Sequence, residues 1–145
     1  MTAKLVVGIR LPLLQAAVRN WLATTGDFEV SGQASTGPEA IALVEETRAD
    51  ILLLDVELPG VGDFEAIRTI AERFPDLRIV VLSEEEDRET IVDAVRMGAA
   101  GYLAMTWGAR DLIKILRAVA AGRRLRLRDL SYQPASTGNV KPRAG

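Results

Sequence analysis

Five short apolar runs alternate with five helical stripes. That pattern predicts an α/β fold of three layers, α/β/α, with a five-stranded parallel sheet covered by helices on both faces. Three observations carry it. Ile51-Leu52-Leu53-Leu54 and Ile79-Val80-Val81-Leu82 are unbroken apolar runs of strand length, as expected of central strands buried on both sides. Between them Phe64, Ile67, Ala71 and Phe74 recur at helical spacing. The turn pairs Gly37-Pro38, Pro59-Gly60 and Pro75-Asp76 punctuate the alternation.

Taken in order, Lys4 to Ile9 is an apolar, β-favouring first strand. Pro12 suits the first turn of a helix, where a missing N–H costs nothing. Leu14, Ala17, Val18 and Trp21 form the stripe of that helix, which runs to about Ala23, and Gly26 stops it. Residues 28–34 alternate weakly, as an edge strand does. Gly37-Pro38 opens a second helix with Ala40, Ile41, Leu43 and Val44 facing inward. Strands over 51–55 and 78–83 flank the third helix. After Glu84-Glu85-Glu86-Asp87 comes a fourth helix facing inward with Ile91, Val92 and Val95, and Gly98 reads as its left-handed cap. Ala100 to Ala104 is the last strand. Leu112, Ile115, Leu116 and Val119 stripe the fifth helix, and Asp111 lies in its first turn, where a negative charge suits the dipole.

The composition excludes several chemistries. The 145 residues include no Cys and no His. That removes disulfides, thiol nucleophiles, His-based triads and the commonest metal ligands. No apolar run reaches the ~18–20 residues of a membrane helix, and no signal peptide opens the chain, so a cytoplasmic protein without membrane contact is expected. Charge is uneven. Residues 1–109 hold 9 Lys/Arg against 18 Asp/Glu, a balance of −9, whereas residues 110–145 hold 9 against 2, a balance of +7. Residues 1–124 read as one domain. Residues 125–145, with Pro134, Gly138 and Pro142 and no apolar stripe, read as a basic linker or disordered tail with no output domain.

Asp55 is the first residue to question. It ends a run of four aliphatics whose burial is worth about 1.5–3 kcal/mol each. In open α/β sheets the crevice beyond the strand C-termini is where ligands bind. A charge there calls for either a function or a partner.

Three segments carry a family resemblance: Leu54-Asp55 with Pro59-Gly60, Val81-Leu82-Ser83, and Met97-Gly98-Ala99-Ala100-Gly101-Tyr102-Leu103. In this register the chain resembles a response-regulator receiver domain, over about residues 3–124. The Gly-Ala-Ala-Gly-Tyr-Leu run and the Ala-Val-Ala-Ala-Gly end of the fifth helix are similar to receivers of LuxR-type transcription regulators. The resemblance implies a flavodoxin-like sheet of order 2-1-3-4-5. It also implies a phospho-acceptor at Asp55, served by a partner histidine kinase, with Ser83 as the phosphoryl-contacting hydroxyl and Tyr102 as the aromatic that moves with it.

The chain departs from that family where the chemistry is most demanding. The family's two acidic residues after the first strand, which hold Mg²⁺, are here Ile9 and Arg10. Its lysine on the fifth strand is here Met105. The acidic-glycine order after Val61 is reversed, as Gly62-Asp63. Phosphoryl transfer depends on positioning and on neutralising charge, mostly by Mg²⁺ and a cation. Mg²⁺ takes oxygen ligands, usually including carboxylates. The Mg²⁺ site is therefore expected to be absent, with no cofactor and no enzymatic activity. Arg10 is expected to pair with Asp55 through its guanidinium and to stand in for the metal's charge.

The first functional expectation is an atypical, phosphorylation-independent receiver in two-component-type signal transduction. It would act in transcription regulation through a homodimer or a partner protein, with Trp21 and the apolar half of the fifth helix as candidate contacts. The second is a conventional receiver phosphorylated on Asp55 by a histidine kinase. The third is nucleic-acid binding, through a missing output domain or weakly through Arg123, Arg124, Arg126 and Arg128.

Overall fold

The computed structural model describes residues 2–61 and 64–125. The expected linker from residue 126 onward, with Arg126 and Arg128, and the Gly62-Asp63 pair lie outside them. Five strands, β1 (Ala3–Gly8), β2 (Phe28–Ala34), β3 (Ile51–Asp55), β4 (Arg78–Ser83) and β5 (Gly101–Ala104), alternate with five helices. These are α1 (Pro12–Ala23), α2 (Gly37–Thr47), α3 (Glu65–Arg73), α4 (Arg88–Met97) and α5 (Ala109–Ala120). All strand pairings are parallel and the order is β2-β1-β3-β4-β5, as the resemblance implied. Ile9, assigned to the first strand from the sequence, lies one residue past its end.

Two apolar layers sandwich the sheet. Alternate residues of the central strands feed each one: Leu52, Leu54, Ile79 and Val81 face one layer, and Ile51, Leu53, Val80 and Leu82 the other. The first layer is closed by Ala40 and Val44 of α2, Ile67 and Ile70 of α3, and Ala94 of α4. The second is closed by Val18 and Leu22 of α1 and by Leu112, Leu116 and Val119 of α5. Leu125, the last described residue, packs against the first layer, and its N–H donates to the Ala100 carbonyl at 2.8 Å.

Local chemistry sets the helix ends. Thr36 caps α2 by accepting from the Glu39 N–H, and Asp87 caps α4 by accepting from the Thr90 N–H. Gly98 ends α4 at φ 117, where a side chain would be strained. Arg124 donates to the Gly98 carbonyl at 3.0 Å, so one member of the basic run closes a helix end. The seating of α4 differs from expectation. Its only fully buried residue is Ala94, and Ile91, Val92 and Val95 are half-buried. Asp111 lies in the first turn of α5 as expected; it is buried, and neither carboxylate oxygen has a hydrogen-bond partner. The positive end of α5 is the compensation visible there.

Candidate functional site

Parallel pairing brings the carboxyl ends of β1, β3, β4 and β5 to one edge of the sheet. Asp55 pairs with Leu82 and Ser83 with Ala104, so the sequence-picked residues Asp55, Ser83, Tyr102 and Met105 gather at neighbouring strand ends. Ile9 and Arg10 follow β1 beside them.

Asp55 has no exposed surface. Its Oδ2 accepts from the Arg10 main-chain N–H at 3.0 Å, and its Oδ1 accepts from the Glu57 N–H at 2.9 Å. The carboxylate thus ties the loop after β1 to the loop after β3. The expected guanidinium pair does not form: Arg10 is an exposed residue and meets Asp55 through its backbone. The physical reason is local. Both carboxylate oxygens already accept nearby N–H groups, and bringing the guanidinium in would require its desolvation.

The other two departures are built into the packing. Ile9 is fully buried in the layer with Val18, Leu22, Leu112 and Leu116. Its carbonyl accepts from the Gln15 side-chain amide, which also reaches the Ala34 carbonyl at 3.3 Å. Met105 is half-buried against the same layer, and its N–H donates to the Ser83 carbonyl at 2.7 Å. The residues present do not fit Mg²⁺ as the family holds it. Ile9 offers an alkyl group, and Arg10 a cation. Among the described residues no three Asp, Glu, His or Cys converge as ligands.

The Ser83 half of the site is also closed on itself. Ser83 Oγ accepts from the Glu85 N–H at 3.1 Å. Tyr102 is buried and its hydroxyl donates to the Glu85 carbonyl at 2.6 Å. Burial pushes the Tyr102 phenol up to about 12; the nearby carboxylates of Asp87, Glu85 and Glu86 add to the rise, and a hydrogen bond with Ser83 opposes it. Two residues that sequence reasoning passed over complete this half. Thr106 Oγ1 and Trp107 Nε1 both donate to Glu86 Oε1, at 2.9 and 3.0 Å. The Trp107 ring meets Tyr102 edge-on, with centroids 6.4 Å apart. The available signal was an indole two residues after Met105 and an acidic run across from it, but neither marks its partner in one sequence.

A 2-1-3-4-5 parallel sheet with Asp55, Ser83 and Tyr102 on neighbouring strands matches what the receiver resemblance implied. The comparisons agree. The family model for the response regulator receiver domain matches residues 11–117, and the chain belongs to that family. It is 36% identical over 111 residues to the nitrate/nitrite response regulator NarL of Escherichia coli, covering 77% of this chain and 51% of that protein. It is 34% identical over 110 residues to the transcriptional regulatory protein DegU of Brevibacillus brevis, covering 76% and 47%. Among solved structures, a LuxR-family two-component response regulator from Aurantimonas superposes with a TM-score of 0.81 at 27% identity, covering 90% of this chain and 94% of that one. The receiver of the NarL-type regulator of Mycobacterium tuberculosis gives 0.77 at 27%, covering 84% and 98%. The chain spans about half the length of these curated relatives. It is a two-component receiver domain of the kind found in LuxR- and NarL-type transcription regulators.

Proposed function

We propose that this receiver is a regulatory interaction module that works without phosphorylation of Asp55 and without Mg²⁺, and that it is not an enzyme. One observation carries the reading: the Asp55 carboxylate is fully buried and held at both oxygens by main-chain N–H groups, one from the loop after β1 and one from the loop after β3. A phospho-acceptor must present an oxygen to an incoming phosphoryl group, with a metal and a cation neutralising the charge that accumulates. Here Ile9 and Met105, at the positions where the family has an acid and its lysine, belong to the packing beneath α1 and α5. The domain's output is contact through its surfaces, with a second copy or with a partner protein, in the service of transcription regulation.

The test is incubation with Mg²⁺ and acetyl phosphate followed by intact mass. The expected result is an unchanged mass. A gain of one phosphoryl group in the native chain, absent from Asp55→Ala, would establish the conventional phospho-acceptor reading with a histidine kinase as partner.

A further inference from the structure

The loop after β4 and the loop after β5 are joined by more contacts than a strand-end hydroxyl requires. Glu86 Oε1 takes two donors from the second loop, Thr106 Oγ1 at 2.9 Å and Trp107 Nε1 at 3.0 Å. The preceding residue, Glu85, takes the Tyr102 hydroxyl on its carbonyl at 2.6 Å and gives its N–H to Ser83 Oγ at 3.1 Å. The Trp107 ring meets Tyr102 edge-on. Because Glu85 and Glu86 are adjacent, the first loop cannot lift without breaking all of these contacts together. The two bonds to Glu86 are charge-assisted, the stronger class of hydrogen bond. Nothing in the network passes through Asp55, whose oxygens are bonded to Arg10 and Glu57.

We propose that Glu86 is a latch: by holding Thr106 and Trp107 it fixes the loop after β4 against the loop after β5, and with it the entry to α4, with no covalent change at Asp55. This rests on the phosphorylation-independent reading and supplies its device. The same loop leads into α4, whose fully buried contribution is Ala94 alone. A helix so lightly seated depends on its entry loop for position. Thr106 is exposed and Glu86 half-buried, so the latch is within reach of a partner that competes for the carboxylate.

The test is amide hydrogen exchange by NMR on the unphosphorylated full chain, with no phosphodonor present, so that its outcome is independent of whether Asp55 accepts a phosphoryl group. The reporters are the N–H groups of Glu85, Met105 and Trp107, which donate to Ser83 Oγ, the Ser83 carbonyl and the Ala104 carbonyl. Glu86→Ala and Trp107→Phe are each expected to speed exchange on both loops by about tenfold or more, the scale set by losing a hydrogen bond to a charged group. Thr106→Val, which leaves the core untouched, is expected to act in the same direction and more weakly. The double variant Glu86→Ala/Trp107→Phe is expected to exchange no faster than Glu86→Ala alone, because Glu86→Ala already removes the bond that Trp107→Phe removes. The proposal is overturned if Glu86→Ala leaves Met105 and Trp107 unchanged, if Trp107→Phe leaves Glu85 unchanged, or if the two effects multiply.

Discussion

Replacing Asp55 by Asn separates a carboxylate that holds the fold from one kept for chemistry. In the native chain two buried oxygens accept two N–H groups, from Arg10 at 3.0 Å and Glu57 at 2.9 Å. Asn offers one acceptor oxygen and one amide nitrogen. Whichever way it turns, one N–H faces another donor, and the remaining bond loses its charge. Hydrogen bonds to charged groups are worth roughly 1.5–3 kcal/mol, and a buried N–H left without a partner costs about 1–3 kcal/mol. The second figure overlaps the first, so Asp55→Asn is expected to destabilise by about 2–3 kcal/mol. In a domain of this size that lowers the melting temperature by about 5–10 °C. Urea and thermal unfolding by circular dichroism measure it. A site crowded with carboxylates behaves in the opposite way, because removing one charge relieves repulsion. A melting temperature for Asp55→Asn equal to or above that of the native chain would refute the reasoning.

Two further outcomes follow from the same geometry. The Tyr102 phenol is raised from 10.0 to about 12, so the folded state holds its proton more tightly than the unfolded chain. Its contribution is therefore complete below pH ~10 and declines as pH rises to about 12, by roughly 2–3 kcal/mol in all; urea midpoints across that window should fall, and Tyr102→Phe should flatten the slope. Restoring an acid at Ile9 is expected to cost more than about 3 kcal/mol, since it removes a fully buried aliphatic and buries a carboxyl in its place; an unchanged urea midpoint for Ile9→Asp would contradict the packing described.

The sheet was legible because doubly buried strands write themselves as unbroken aliphatic runs. β2, the start of α1 at Pro12 and the cap of α4 at Gly98 followed from equally local signals. The seating of α4 was not, since Ile91, Val92 and Val95 have helical spacing whether or not a partner covers them. At the site, the register of motifs located Asp55, Ser83 and Tyr102, but a sequence does not say which atom of Arg10 meets Asp55. The guanidinium was the chemically obvious donor; the backbone N–H was the nearer one. Glu86 was hidden for a related reason. Three consecutive glutamates look alike until the fold sets one of them opposite Thr106 and Trp107. Long-range side-chain pairs depend on the placement of two loops, and no local periodicity reports that.

The two halves of the site can be compared as bonding circuits. Asp55 closes one between the loops after β1 and β3, through main-chain donors that any residue would supply. Ser83, Glu85, Glu86, Tyr102, Thr106 and Trp107 close the other between the loops after β4 and β5, largely through side chains. The direct link visible between them is main-chain pairing, including the Val56 N–H on the Leu82 carbonyl at 3.0 Å. A phosphoryl group could couple the halves only by inserting acceptor oxygens between them, and the family's lysine position on that path is occupied by Met105, packed against apolar side chains. A change at Asp55 thus has little polar structure through which to reach Tyr102. A change at Glu86 reaches it through one residue, and through Trp107 in the loop before α5 as well. For Tyr102 the shorter polar route thus runs from the surface, at Glu86, rather than from the buried aspartate.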